Sequence, residues 1–191
     1  MQATALLLTL TGGAGAGKTT LAEVLAATAP AGPAHVLHGD DYYFAGPDRG
    51  VWAPDEAGVP RLDVGDPRSV DAERLAADTG AALAAGPVVI VDGLFARRVN
   101  APRQARHRRL DVFVDVPADL RLARKIDRKC VRGGFPVDVL LHNYVHHRRA
   151  AHDRHVEPLR DGCDLVLDGT LPPQALAEQV WSAVAARTRQ N

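Results

Sequence analysis

Residues 12–20 read GGAGAGKTT, and this stretch decides the fold. It satisfies the pattern GxxxxGK[ST] and directly follows an apolar run, residues 5–10, with the length and composition of a buried strand. Glycines in such a turn let backbone N–H groups face a polyphosphate, and a helix starting at Lys18 presents its positive dipole end to the same anion. The stretch therefore predicts a nucleoside triphosphate site between a first strand and a first helix.

The residue types in this segment suggest a role for each position. We expect the backbone of the turn to surround the phosphates, Lys18 to contact the β and γ phosphates, and Thr19 to offer its hydroxyl to Mg²⁺. ATP and Mg²⁺ are the expected cofactors. The residues expected to bind ATP here are Gly13, Ala14, Gly15, Ala16, Gly17, Lys18, Thr19 and Thr20.

Five apolar runs of strand length alternate with alanine- and leucine-rich stretches of helical length. The runs are continuous rather than alternating, which is typical of strands buried on both faces of a parallel sheet. We therefore expect an α/β fold of the P-loop NTPase type, a three-layer sandwich around a mainly parallel five-stranded sheet. The expected strands are residues 5–10, 35–37, 88–91, 112–116 and 165–167; the expected helices are 18–28, 69–85, 117–129, 136–157 and 172–187.

Length and composition narrow the class of protein. A chain of 191 residues suits one domain, and 23 basic against 23 acidic side chains give no basic field for nucleic acid or an anionic membrane. Cys130 and Cys163 form no metal-like cluster, and the first apolar run is too short to span a bilayer, so we expect a cytoplasmic protein. The arginine-rich residues 97–109 lack interleaved aromatic side chains, and we interpret them as a solvated connector.

Acidic residues follow two of the predicted strands. Asp40 and Asp41 come after residues 35–37, and Asp92 comes after residues 88–91. Because side chains beyond the carboxyl ends of parallel strands line the ligand crevice, we expect these acids to share a cleft with the phosphate loop. Asp40 or Asp41 would orient an acceptor hydroxyl and accept its proton, and Asp92 would hold Mg²⁺ through a water molecule.

The segments GGAGAGKTT, HGDDYYF at 38–44, VVIVDG at 88–93 and ADLRLARKIDR at 118–128 together resemble the uridine kinase and nicotinamide riboside kinase group of P-loop kinases. The resemblance implies transfer of the γ-phosphoryl group of ATP to a hydroxyl of a nucleoside or nucleoside-like acceptor. It matches Asp40 to the catalytic carboxylate. It also implies a small helical lid at about 121–136, in which Arg124 and Arg128 contact ATP and assist catalysis and Arg132 contacts the substrate.

The acceptor side is less well defined by the resemblance. A substrate-side insertion covers about residues 42–68, in which Tyr43 matches an aromatic substrate contact and Asp63 matches the acid that binds ribose hydroxyls, with Asp66 as a competing alignment. Residues 71–87 form a plain helix and turn where pyrimidine nucleoside kinases carry base-binding residues. A non-nucleoside alcohol such as pantothenate or a sugar phosphate, and a regulatory ATPase, remain alternatives. The expected partner is a small-molecule alcohol, and a homo-oligomer is compatible with the sequence.

Overall fold

The computed structural model describes residues 4–55, 59–101 and 107–189. Strands and helices alternate along most of these ranges, as the apolar runs predict. The strands are β1 (Ala5–Thr11), β2 (Ala34–His38), β3 (Trp52–Pro54), β4 (Pro60–Leu62), β5 (Val88–Gly93), β6 (His107–Asp115) and β7 (Leu165–Asp168). The α-helices are α1 (Lys18–Ala27), α2 (Ala72–Ala85), α3 (Ala118–Ile126), α4 (Val137–Asn143), α5 (Arg149–His155) and α6 (Pro173–Thr188).

The main sheet has five strands in the order β2, β5, β1, β6, β7, and every neighbouring pair is parallel. Successive side chains of a strand point to opposite faces, and both faces are covered here. Leu8 packs with Leu21 of α1 and Val180 of α6, whereas Leu7 packs with Leu83 of α2 on the other side. The predicted α/β sandwich with a parallel five-stranded sheet is therefore confirmed.

The strand register brings the carboxyl ends of three strands together. Thr11 at the end of β1 lies opposite Gly93 of β5, and His38 at the end of β2 lies opposite Asp92. The segments that leave β1, β2 and β5 therefore start side by side at one edge of the sheet.

Several boundaries differ from those expected. The strand expected at 112–116 begins at His107, because it already pairs there with β1, His107 lying opposite Ala5. Arg109 is not solvated in a connector: its guanidinium donates to the carbonyls of Arg97 and Val99. Residues 102–106 of that connector lie outside the described residues. The second helix begins at Ala72, and its cap is Asp71, whose carboxylate accepts from the Arg74 amide.

The two helices after β6 contain wide, π-helical turns. Asp127–Val131 follows α3, and Tyr144–Arg148 joins α4 to α5 within the single helix expected at 136–157. The expected irregular insertion holds an antiparallel hairpin, β3 with β4. Within the described ranges, no helix combines the length and apolar character needed to cross a bilayer.

Candidate active site

The phosphate loop, residues 12–19, leads from β1 into α1. Gly15 and Gly17 have positive φ angles of 86° and 88°, a region that side chains with a Cβ rarely adopt. Ala16 is 2% exposed and packs into the core, so it offers only its backbone to a ligand. Ala14, Gly15, Gly17, Thr19 and Thr20 line the adjacent cavity.

Lys18 lies buried at the start of α1, and its Nζ donates to the carbonyl of Gly13 at 3.0 Å. Burial lowers the pKa of Lys18 to about 8, although the Asp40 and Asp92 carboxylates oppose this shift. Arg121 and Arg128 lower it further. Lys18 is thus a desolvated cation close to two further cations, Arg121 and Arg128, and a bound polyanion would offset both its desolvation and their repulsion.

Asp92 connects the ends of three segments. It is 3% exposed; its Oδ2 accepts from the Thr19 hydroxyl at 2.7 Å, and its Oδ1 lies 2.9 Å from His38 Nδ1. The structure therefore brings together the two residues expected to manage the metal, Thr19 and Asp92. His38 was not among the expected site residues; its place beside Asp92 follows from the β2–β5 register.

The phosphate loop and both candidate acids open onto one cavity of about 580 Å³, which we call the phosphate cavity. Asp40 and Asp41 enter it from the short 3₁₀ turn Gly39–Tyr42 after β2. The charge of Asp40 acts on Lys18 and on Tyr43, whereas that of Asp41 acts on Tyr42. Asp40 is therefore the acid that is electrostatically linked to the phosphate loop.

The expected lid arginines occupy three different places. Arg128 lines the phosphate cavity together with Lys125 and Lys129. Arg124 donates both terminal nitrogens to the Gly169 carbonyl at 3.2 Å, beyond the end of β7. Arg132 is exposed and paired with Asp127. Of the three, Arg128 is the arginine that faces the phosphate cavity in this conformation.

Arg121, which sequence reasoning did not assign to the site, packs against the phosphate loop. Its guanidinium occupies the space that a Cβ on Gly13 would need, and its backbone carbonyl does the same at Gly15. Its Nε donates to the Val116 carbonyl at 2.9 Å, and its Nη2 lies 3.1 Å from His152 Nε2. Arg121 therefore ties the loop to α3 and α5.

The residues expected to contact the acceptor also lie in different places. Tyr43 lines the phosphate cavity, and its hydroxyl donates to the Val64 carbonyl at 2.8 Å; burial raises its pKa. Asp63 accepts from Arg148 at 2.6 Å, between the insertion and the wide turn before α5. Asp66 is buried, is engaged with Arg68 and caps the turn that follows. Asp63 instead lines a further cavity of about 470 Å³ and is outside the described lining of the phosphate cavity.

No metal centre is built from protein side chains alone within the described ranges, since no group of three or more His, Cys, Asp or Glu there could hold an ion. The rings of His142 and His146 lie with their centroids 4.3 Å apart and are tilted by 40° to each other. A Thr–Asp pair fits Mg²⁺ nonetheless, because Mg²⁺ keeps several waters and takes further ligands from phosphates.

Comparison with known proteins adds family and fold to this geometry. The sequence model of the phosphoribulokinase/uridine kinase family matches residues 68–175. A uridine kinase from Deinococcus deserti is 26% identical over 197 residues, which cover 93% of this chain and 92% of that protein. A uridine kinase from Staphylococcus epidermidis is 29% identical over 80 residues, or 42% of this chain and 38% of that one.

Solved structures share the fold at lower identity. A proposed kinase from Chloroflexus aurantiacus superposes with a TM-score of 0.60 at 20% identity, covering 97% of this chain and 99% of that one. A sugar kinase from a Janibacter species superposes with a TM-score of 0.53 at 20% identity, covering 94% and 93%. At this identity the likeness concerns the arrangement of strands and helices.

Proposed function

The chain belongs to the phosphoribulokinase/uridine kinase family, and on that premise we propose that it transfers the γ-phosphoryl group of ATP to a hydroxyl of a nucleoside or nucleoside-like acceptor. The family implies a kinase with ATP as phosphoryl donor. The nearly full-length similarity to a uridine kinase supports a nucleoside-like acceptor. The observation that carries the proposal is that one cavity is lined by the phosphate loop, by Asp40 and by Arg128.

The donor half of the site rests on the loop and Lys18. Backbone N–H groups of the loop and the N-terminus of α1 provide a site for phosphate oxygens. Lys18, held by the Gly13 carbonyl, stabilises negative charge on the phosphates without a large movement. Thr19 and Asp92 would hold Mg²⁺, which when bound neutralises charge on the phosphate oxygens.

The transfer itself needs few protein groups. The acceptor oxygen forms a bond to the γ phosphorus while the bond from that phosphorus to the ADP oxygen breaks, and the hydroxyl proton passes to the Asp40 carboxylate. Lys18 and Arg128 stabilise the charge that develops during transfer. Lys125 and Lys129 add cations to the same wall of the cavity.

The acceptor would lie between Asp40 and the insertion. Asp63 accepts hydrogen bonds, as a contact to ribose hydroxyls requires, and Arg148 holds its carboxylate in place. Tyr43, fixed by the Val64 carbonyl, forms part of the wall between them. These contacts support a sugar-bearing acceptor.

The test is a pair of matched variants, Asp40→Asn and Asp41→Asn. Asp40→Asn is expected to lower kcat by roughly 10²- to 10⁴-fold, because a general base is lost, while ATP binding persists. Asp41→Asn should stay within a few-fold of wild type. Turnover that survives Asp40→Asn would show that the base is wrongly assigned.

The acceptor class is tested by ADP formation with uridine, cytidine, nicotinamide riboside, pantothenate and ribose 5-phosphate. ADP release that depends on an added nucleoside-like alcohol supports the proposal. Release that needs only protein, ATP and Mg²⁺ supports a regulatory ATPase, and release with pantothenate alone supports a non-nucleoside kinase.

A further inference from the structure

A second cavity, of about 280 Å³, lies beside the phosphate cavity and is bounded by α3 and the α4–α5 segment. We call it the side pocket. Ala14, Val64, Leu94 and Lys125 line both cavities, so the two are contiguous. An acceptor whose hydroxyl lies at Asp40 can therefore extend past Lys125 into the side pocket.

The charged side chains of the side pocket are mostly basic. Its lining includes Arg121, Lys125, Arg148 and Arg149, against one carboxylate, that of Asp153. The hydrogen bonds of Arg121 turn it toward the phosphate loop and His152. Of the other three cations, only Arg148 has an acidic partner in the described chain, Asp63. The positive charge of the side pocket is therefore not balanced by acidic side chains.

Lys125 is the clearest case of uncompensated charge. Its ammonium makes no ion pair with any acidic side chain in the part of the chain that the structure describes. Burial lowers its pKa, and the nearby cations Arg148, Arg128 and Lys129 lower it further. A cluster of cations with so little acid is stabilised when an anion binds among them.

The phosphates of ATP do not account for the two arginines of this cluster, although Lys125 also lines the phosphate cavity. Arg148 and Arg149 line the side pocket but are absent from the described lining of the phosphate cavity. The remaining wall is largely apolar, with Val64, Leu122 and Val156. The pocket thus pairs an apolar wall with a basic rim, as suits an organic group that ends in an anion.

We propose that the side pocket binds a carboxylate or phosphate group carried by the acceptor at the end remote from its reacting hydroxyl, through Lys125, Arg148 and Arg149. This inference rests on the proposed function, since it takes the acceptor hydroxyl to lie at Asp40. It narrows the acceptor to an acidic alcohol that carries a ribose, rather than a neutral nucleoside.

The test compares acceptors that differ by one anionic group. Orotidine against uridine examines a carboxylate, and ribose 5-phosphate against ribose examines a phosphate. Titration calorimetry is done with Mg²⁺ and a non-hydrolysable ATP analogue at saturation, so that the phosphate loop is filled. In at least one pair the anionic member should bind at least tenfold more tightly than the neutral one.

Two variants test whether the preference for the anionic compound comes from the side pocket. The double substitution Lys125→Gln/Arg149→Gln should bring the affinity ratio close to one. The matched control is Arg154→Gln on the same helix, at an exposed position outside the described lining of the side pocket, and it should keep the ratio. Equal affinities within both pairs, no binding of any of the four, or a preference that survives the double variant would overturn the inference.

ADP formation with ATP, measured on the same four compounds, separates the two proposals. Acceptor-dependent ADP formation in which neither anionic compound is a better acceptor than its neutral partner would leave the kinase assignment standing and remove the anion site. Tight binding of the anionic member without acceptor-dependent ADP formation would leave the anion site standing and remove the kinase assignment.

Discussion

The Thr19 hydroxyl donates a 2.7 Å hydrogen bond to Asp92 Oδ2, joining the phosphate loop to the end of a strand 73 residues later in the chain. The parallel register of β1 with β5 makes this contact possible, because it sets Thr11 opposite Gly93. A hydroxyl and a buried carboxylate are thereby held together at the mouth of the phosphate cavity, where a divalent cation would lie with the phosphates.

Asp92→Asn should weaken the affinity for Mg²⁺ and leave the fold largely unaffected. The amide oxygen can still accept from Thr19, but the negative charge is lost. A carboxylate that contacts the metal through water contributes roughly 10- to 100-fold to metal affinity. The Mg²⁺ concentration for half-maximal activity should rise by about that factor, as measured by ADP formation at saturating ATP.

Asp115→Asn is the matched control for this measurement. Asp115 also ends a strand of the main sheet, but its carboxylate pairs with the surface residue Arg160 at 2.8 Å. Its Mg²⁺ dependence should match that of the wild type. An unchanged Mg²⁺ requirement in Asp92→Asn would remove Asp92 from the metal site.

The main sheet was predictable because its central strands β1 and β5 are buried on both faces and therefore appear as uninterrupted apolar runs. The edge strands β2 and β7 are only partly buried, and their apolar runs are shorter. The run at 88–91 corresponds to β5, which extends to Gly93 and has Asp92 as its second-last residue, at the end next to the cleft. The proximity of the phosphate loop to Asp40 and Asp92 followed from the rule that parallel strands end at one edge.

The direction of each arginine after β6 was not predictable from spacing alone. Arg124 and Arg128 are four residues apart and would be neighbours on one side of a regular helix, yet Arg128 lines the phosphate cavity while Arg124 donates to the Gly169 carbonyl. The wide turn Asp127–Val131 takes more residues per turn and so shifts the direction of the side chains after it. The pairing of Asp63 with Arg148, 85 residues apart, likewise depends on tertiary packing that no local pattern reports.

The nucleotide-free protein should become more stable as the pH rises above 8, because the buried Lys18 side chain then loses its charge. The pKa of Lys18 is about 8 in the folded chain against an ordinary value of 10.5, so between these values the unfolded chain binds more protons. Stability therefore rises across this window. The charged form costs up to about 3 kcal/mol at pH 7, and this cost fades toward pH 10.5.

Lys18→Met isolates this effect. We expect the variant to lose ATP binding, and the difference in unfolding free energy between wild type and variant to shift in favour of wild type by about 2–3 kcal/mol from pH 7 to pH 10. Urea unfolding at each pH measures it, and taking the difference removes the other groups that titrate there. A pH-independent difference would mean that Lys18 keeps an ordinary pKa.

Asp63 and Asp66 should respond to substitution in different ways. Asp63→Asn removes the acid proposed to bind ribose hydroxyls and weakens its ion pair with Arg148, so the KM for a ribose-containing acceptor should rise about tenfold while the KM for ATP stays unchanged. Asp66→Ala removes a turn cap, which should lower the unfolding free energy by about 1 kcal/mol without an acceptor-specific change.

The pH dependence of Asp66 supplies a second check. Its hydrogen bond from Arg68 holds the pKa of Asp66 below the ordinary value of 3.8, so the stability it contributes is present above that pH and is lost as the pH falls further. The stability difference between wild type and Asp66→Ala should therefore shrink under acid conditions. A raised acceptor KM in Asp66→Ala, with normal KM in Asp63→Asn, would reverse the assignment.

Arg121 lies against two glycines of the phosphate loop, which should differ in how well they tolerate an added methyl group. A methyl group at Gly13 would meet the flexible end of the Arg121 side chain, which can move aside. A methyl group at Gly15 would meet the Arg121 backbone carbonyl and would also have to adopt a φ of +86°. Gly15→Ala should therefore cost about 1–3 kcal/mol of stability and weaken ATP binding strongly, whereas Gly13→Ala should cost less on both counts.

Arg121→Gln completes this comparison. It frees the space beside Gly13 but removes the hydrogen bond to the Val116 carbonyl and the contact with His152, so on its own it should raise the KM for ATP. In the Arg121→Gln background, Gly13→Ala should add little to the ATP defect, because the clash has already been relieved. In the same background, the defect caused by Gly15→Ala should remain additive. ATP affinity measured by calorimetry across the three single and two double variants decides this. A Gly13→Ala defect that is unaltered by Arg121→Gln would show that the guanidinium does not restrict the space beside Gly13.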